Sequence, residues 1–261
     1  MNISLSNSDK ADKFAYIFQH IKLFTEQINI MFEEERVYIQ AMDSARVSIF
    51  EIDIKSSWFD KYERSEDANL CLGVNASILY KILNTRDKSQ ELSITYDTEE
   101  SDKLAIRFSS QNKAVFDKNF VIPLIDIDEQ LMQIPESDSH AEILINATNF
   151  ANIISQLRLF GDTIDISCSE EQILLCSNSV DCGKMTVEIS MDDLDEFSIN
   201  DGASLKLSFS LTQLHNICMY HKIGKDVQIK WINEFPMQIS YAIDNNLVNL
   251  RFYLAPKISD D

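Results

Sequence analysis

Displaced along itself by 136 positions, the 261-residue sequence meets its own pattern. Phe14-Ala15 falls on Phe150-Ala151, Ile17 on Ile153, Leu23-Phe24 on Leu159-Phe160, Ile28 and Ile30 on Ile164 and Ile166, and Glu34-Glu35 on Glu170-Glu171. Ile21 with Leu157, Lys22 with Arg158 and Val37 with Ile173 are conservative matches in the same frame, and a displacement of 135 adds Leu79 with Leu214 and Ile82 with Ile217. Such self-similarity marks a tandem duplication whose halves share one order of elements: strand, helix, strands, helix, strands. Alternation of apolar and polar residues over 47–54, 92–96, 103–108, 184–189 and 227–232 predicts half-buried antiparallel strands. Four stretches carry a helical period instead: 9–24 (Phe14, Ile17, Phe18, Ile21, Phe24), 76–86 (Ile78, Leu79, Ile82, Leu83), 147–160 (Phe150, Ile153, Ile154, Leu157, Phe160) and 210–222 (Leu211, Leu214, Ile217, Cys218). Asn146 and Ser210 are the expected N-caps of the last two. The fold class is therefore α+β, with two topologically similar domains, 1–123 and 141–261, of antiparallel sheets with paired helices. Between them 124–140 reads either as an extended connector or as a last strand followed by a loop, and its Leu131, Met132 and Ile134 call for a covering partner.

Charge sharpens the reading. The formal net charge is −19, which as a total argues against nucleic acid as a partner. The four helical stretches, however, hold Lys10, Lys13, Lys22, Lys81, Arg86, Arg158 and Lys222 against Asp9 and Asp12, a net +5 that leaves −24 on the rest. If those helices share one surface, that surface can meet phosphates while the sheets repel them.

Several chemistries are excluded. Five glycines supply neither a dinucleotide-binding nor a P-loop pattern. Five cysteines (Cys71, Cys168, Cys176, Cys182, Cys218) without a C-x-x-C pair fit reduced, buried thiols. No apolar run has the length of a membrane span and MNISLSNSDK is not a signal peptide, so a soluble intracellular protein is expected. His215 and His221, six apart on a helix, point to different faces and make no metal pair. The acidic run 192–202 misplaces the ligands and glycine of a calcium loop, and no G-x-S-x-G nucleophile motif occurs. No cofactor and no catalysis are expected.

Four segments carry a family resemblance: Gln40-Ala-Met-Asp-Ser-Ala-Arg-Val-Ser48, the connector from Leu124 to Glu136 with its Ile-Pro-Glu, Phe160-Gly-Asp162, and Phe252-Tyr-Leu-Ala-Pro-Lys-Ile258. Together they resemble the proliferating cell nuclear antigen family of DNA sliding clamps over nearly the whole chain. The resemblance implies a homotrimeric ring, helices lining the hole and sheets outside, that encircles duplex DNA without sequence preference. It would be opened by a clamp loader and would tether polymerase and other DNA-processing proteins through short peptides, in the nucleus or at a cytoplasmic replication site. It places DNA contact on Lys13, Lys22, Lys81, Arg86, Arg158 and Lys222. Partner binding falls to Met42, Arg46, Val47, Met132, Ile134, Pro236, Tyr253, Leu254, Ala255 and Pro256, although Met42 and Val47 can also be read as core. The subunit interface is expected on the edges 119–122, with Phe120, and 173–177, with Ile173, Leu175 and Ser177, unless either run is an interior strand.

The departures are specific. Asn152 and Ser155 stand where family members usually carry arginines, Thr212, Met219 and Asn84 where basic residues are common, Arg46 where histidine is frequent, and Glu170 at the ubiquitin-accepting lysine. They point to a divergent member, a viral copy among the readings left open. The alternatives to a homotrimeric clamp are an acidic scaffold or mixed-ring subunit of the same fold, and an enzyme with a carboxylate site.

Overall fold

Each α-helix among the described residues of this computed structural model (1–64, 70–128, 130–135, 138–233 and 235–257) begins on a side chain that caps it. α1 (Ser8–Ile21) starts at Asn7, whose Oδ1 accepts from Asp9 N at 2.9 Å and Lys10 N at 3.2 Å. Asn75 accepts from Ile78 N at 2.9 Å before α2 (Ala76–Leu83). The two caps expected from sequence hold: Asn146 serves α3 (Ala147–Leu157) through Thr148 N and Asn149 N, both 3.1 Å, and Ser210 serves α4 (Leu211–Cys218) through Gln213 N at 3.5 Å. Each cap satisfies amides the helix leaves unpaired, a contribution of about 1 kcal/mol. α1 and α3 end three residues before their apolar stripes do, as Phe24 N and Phe160 N bond back to the carbonyls of Ile21 and Leu157, and Arg86 N bonds likewise to Leu83 O after α2. That tight turn keeps Phe24 buried after the α-helix has stopped. A 3-10 turn, Met219–Lys222, likewise extends α4.

Two units form. The first comprises Met1–Ser44, Glu51–Met132 and Asp244–Val248, and the second Ala45–Phe50, Gln133–Ile243 and the chain from Asn249. Strands β1 (Asn2–Leu5), β2 (Gln27–Phe32), β3 (Arg36–Met42), β4 (Ser48–Lys55, in this unit from Glu51), β5 (Lys61–Glu63), β6 (Leu70–Asn75), β7 (Glu91–Thr95), β8 (Lys103–Ser109) and β9 (Lys118–Pro123) give the first unit an antiparallel sheet ordered β5-β1-β7-β8-β9 and a second run β6-β2-β3-β4. The second unit has β10 (Ala141–Asn146), β11 (Thr163–Cys168), β12 (Ile173–Ser179), β13 (Gly183–Ile189), β14 (Glu196–Ile199), β15 (Leu205–Ser210), β16 (Asp226–Trp231), β17 (Met237–Ile243) and β18 (Val248–Leu254, in this unit from Asn249), ordered β14-β10-β16-β17-β18 and β13-β12-β11-β15. The second unit repeats the first strand for strand. Gln27 of β2 opposes Asn75 of β6 as Thr163 of β11 opposes Ser210 of β15, so even the register survives the duplication. α1 packs on α2 and α3 on α4.

Alternation is carried into burial: every second residue of β4, β8, β10 and β16 faces the core. All five cysteines are free, but only Cys168 and Cys218 are buried, while Cys71 and Cys182 are exposed. Burial pushes the Cys168 thiol up to about 11. Beyond Pro123 the chain is an extended connector and not a further strand, with a single bridge from Ile125 to Gly73; Glu129, Glu136 and Ser137 lie outside the described residues.

The entry to α1 is braced by one carboxylate. Asp60 Oδ2 accepts from Ser6 N at 2.7 Å, Ser6 Oγ at 2.8 Å and Asn7 N at 3.2 Å, and Lys10 Nζ lies 3.4 Å from its other oxygen. Partial burial works to raise its pKa, but the three donors and Lys10 outweigh it and hold the group at about 2, below its ordinary 3.8. Since the folded value is the lower one, this brace stabilises the fold above pH 4 and is lost as pH falls toward 2. Asp60→Asn should therefore lower the melting temperature at pH 7 and narrow its drop on acidification, the two proteins converging near pH 2. Parallel curves in calorimetry would refute the assignment.

Candidate functional site

In the first unit the cations of the helix pair divide into two kinds. Lys22 caps the C-terminus of α1 and is exposed, its ammonium 4.9 Å from the Tyr80 ring of α2, and Lys81 is exposed on α2. These two are presented to solvent. Arg86, expected to contact DNA, is not: its side chain is 3 % exposed, and it pairs with Asp12 while donating to Gln90 O at 2.7 Å and Ser8 O at 3.3 Å. Its guanidinium ties the turn after α2 to the start of α1. Lys13 is also engaged, with Asp244 at 2.6 Å and Asp9 at 2.7 Å. Burial works to lower the Lys13 pKa, yet the two carboxylates prevail and raise it. Lys10 lies within α1 and donates to Trp58 O at 2.6 Å.

The helix pair of the second unit is more neutral. Arg158 caps α3 and is exposed, and with burial it lowers the pKa of His215. Lys222 is exposed at the end of the 3-10 turn, and burial together with that ammonium lowers the pKa of His221. Asn152, Ser155 and Gln156 are exposed on α3, and Leu159, just beyond it, is 71 % exposed.

Among the described residues each unit has several strands at a sheet end, β9 and β13 among them. β9 ends the first sheet, bonded to β8 alone, with Phe120 half-buried against Phe108 at 5.5 Å and Val121 61 % exposed. The expected second edge is corrected: β12 lies between β11 and β13, and its Ile173, Leu175 and Ser177 are fully buried. The edge belongs to β13, whose Lys184, Thr186 and Glu188 are exposed and whose Met185 and Val187 are half-buried. Charges on that strand were the available signal, since charged side chains are a common guard of free edges.

The residues expected to dock partners fall in both units. In the first, Met42 and Met132 are half-buried, and the Met132 peptide is held by the Gln40 side chain, which in the sequence stands out only as the first residue of a motif. In the second, Arg46 is exposed with φ +58°, Val47 is exposed, and Val47 O accepts from Ala255 N at 2.9 Å. Tyr253, Ala255, Pro256 and Ile134 are half-buried and Pro236 exposed. Leu254 is corrected: it is fully buried, because it shares the inward face of β18 with Val248, Leu250 and Phe252. Glu170 accepts from Gly202 N at 2.6 Å, tying two loops together. Among the described residues no three His, Cys, Asp or Glu side chains gather as metal ligands, and no helix is long and apolar enough to cross a membrane.

Residues 5–131 match the family model for the proliferating cell nuclear antigen N-terminal domain, and residues 133–257 that for its C-terminal domain. The proliferating cell nuclear antigen of Chaetomium thermophilum is 26 % identical over 257 residues, covering 97 % of both chains. The crystal structure of the Entamoeba histolytica protein of that name superimposes with a TM-score of 0.86 at 22 % identity, covering 98 % of each chain, which is a likeness of fold.

Proposed function

The chain belongs to the proliferating cell nuclear antigen family of non-catalytic DNA sliding clamps, and from that premise we propose that three copies close head to tail around duplex DNA by pairing β9 of one with β13 of the next. The observation that carries the reading is the duplicated unit with one unpaired edge at each of those strands. Two different edges make a heterologous contact, which closes into a ring when the rotation permits and leaves neither β9 nor β13 unpaired. The helices face the DNA, Lys22, Lys81, Arg158 and Lys222 meeting phosphates without reading bases. The connector and the chain around Tyr253–Pro256 receive short peptides with a glutamine and aromatic anchors, from polymerase and other DNA-processing proteins. A clamp loader opens the ring where DNA is replicated inside the cell, in the nucleus or at a cytoplasmic replication site. The chain performs no catalysis of its own.

Threading is the test. The protein should have a native mass three times its 30.0 kDa chain and bind a linear duplex at low salt only while an end is open. Equal binding to a duplex blocked at both ends by a bulky protein would overturn encirclement. The neutral face of α3 favours the second reading, a scaffold or mixed-ring subunit with little DNA contact, for which a monomeric native mass is the expected result.

A further inference from the structure

Three residues of the first unit meet the connector. Asn29 of β2 is the cross-strand partner of Gly73 of β6, and Gln40 lies on neighbouring β3, two residues beyond Tyr38, the partner of Met31. Gly73 O accepts from Ile125 N at 2.8 Å, and a Cβ at Gly73 would stand 2.1 Å from Ile125 O, so only glycine lets the two backbones approach. Asn29 Nδ2 donates to Ile127 O at 3.1 Å. Gln40 then closes both ends of its amide on the backbone of one residue, Nε2 donating to Met132 O at 3.0 Å and Oε1 accepting from Met132 N at 2.7 Å.

Gln40 is buried at 7 % exposure, and its orientation is fixed by more than the connector. Nε2 lies 3.2 Å from Glu51 Oε1 and 3.3 Å from the Tyr38 hydroxyl, which itself donates to Glu51. A donor must therefore face Glu51 and Met132 O, and the acceptor must face Met132 N. The side chain offers the Met132 peptide the same pair of bonds a neighbouring strand would, at one point only. Leu131, next to that peptide, is left exposed.

We propose that Gln40 is the positioning residue of the docking segment: by gripping the Met132 peptide it fixes the path on which Leu131 and Met132 are displayed and so sets the affinity for partner peptides. This rests on the reading of the connector as a docking segment. Gln40 need not touch the partner, and it acts through the backbone it holds.

The test uses the full chain, a synthetic glutamine-plus-aromatic peptide, and calorimetry at two pH values. Gln40→Leu should weaken the peptide about tenfold and raise hydrogen exchange at the Met132 amide. Gln40→Glu should weaken it similarly at pH 8, where a carboxylate cannot donate to Met132 O and is repelled by Glu51. The groups facing position 40 are Glu51 on β4 and Tyr38 on β3, with Arg36 stacked 4.3 Å over the Tyr38 ring. Burial and Glu51 raise the pKa of the introduced carboxyl, and once protonated it has the one donor and one acceptor that the two Met132 bonds require, without the amide's second N–H. Peptide affinity of Gln40→Glu should therefore recover near pH 5 while wild type changes less than twofold, a reversal that general destabilisation would not produce. Unchanged affinity in both variants, or a loss that low pH does not reverse, overturns the proposal while wild-type binding keeps the docking reading. Wild type that ignores the peptide removes both.

Discussion

Phe120→Asp and Val187→Asp should each convert a trimer into monomers, read in light scattering as a fall to one third of the mass. Both residues are half-buried on strands that end their sheets, and a carboxylate at either would be buried between subunits without a partner. Leaving a charge unpaired in an interface costs several kcal/mol, comparable with the whole margin of a subunit contact. Ile173→Val is the informative control: it alters the run first expected to be the second edge, but inside β12, and should trim stability by about 1 kcal/mol while leaving the mass unchanged. A trimer that survives both aspartates would place the interface elsewhere.

Replacing Lys22, Lys81 and Arg158 together with alanine should flatten the dependence of DNA affinity on salt. Each phosphate deprived of its cation takes about 0.9 from the slope of log affinity against log salt, so about 2.7 where all three cations of one subunit touch the backbone. Polymerase run length should fall with it, the trimer remaining intact. Arg86→Ala separates the two kinds of cation: its guanidinium holds Asp12 and the carbonyls of Ser8 and Gln90, so it should lower the melting temperature and leave the slope alone. An unchanged slope in the triple variant would mean that the helices do not face the DNA.

How far the sequence can be read follows from the range of the interactions involved. The duplication, the alternating strands and the caps at Asn146 and Ser210 are set by neighbours in the chain, and they are legible there. The burial of Leu254 is legible too, against the docking role the resemblance gives it, since its period-two relation to Leu250 and Phe252 puts it inside. Arg86 is not: whether a cation meets solvent or a carboxylate depends on Asp12, 74 residues away, and Lys22 and Arg86 look alike in one dimension. β12 and β13 differ in the same way. An apolar run such as 173–177 suits an interior strand as well as an edge, and only the partner on its far side decides. The role of Gln40 stays hidden because a strand glutamine ordinarily points to water, and nothing local announces a peptide waiting at Met132.

The near-neutral face of α3 bears on how long such a protein would stay where it is put. A cation-rich lining dwells at each phosphate and must break several ion pairs for every step, whereas Asn152, Ser155 and Gln156 exchange hydrogen bonds with water at little cost. In a closed ring around DNA with no free ends, attraction to the lining is then almost irrelevant to residence. The lifetime would become that of the proposed β9–β13 seam, and a weak lining would govern only the rate of travel. Raising salt should speed diffusion along a circle without shortening occupancy until the seam itself gives way. On a linear molecule the same protein, with so little to hold it back, would leave as soon as it reached an end.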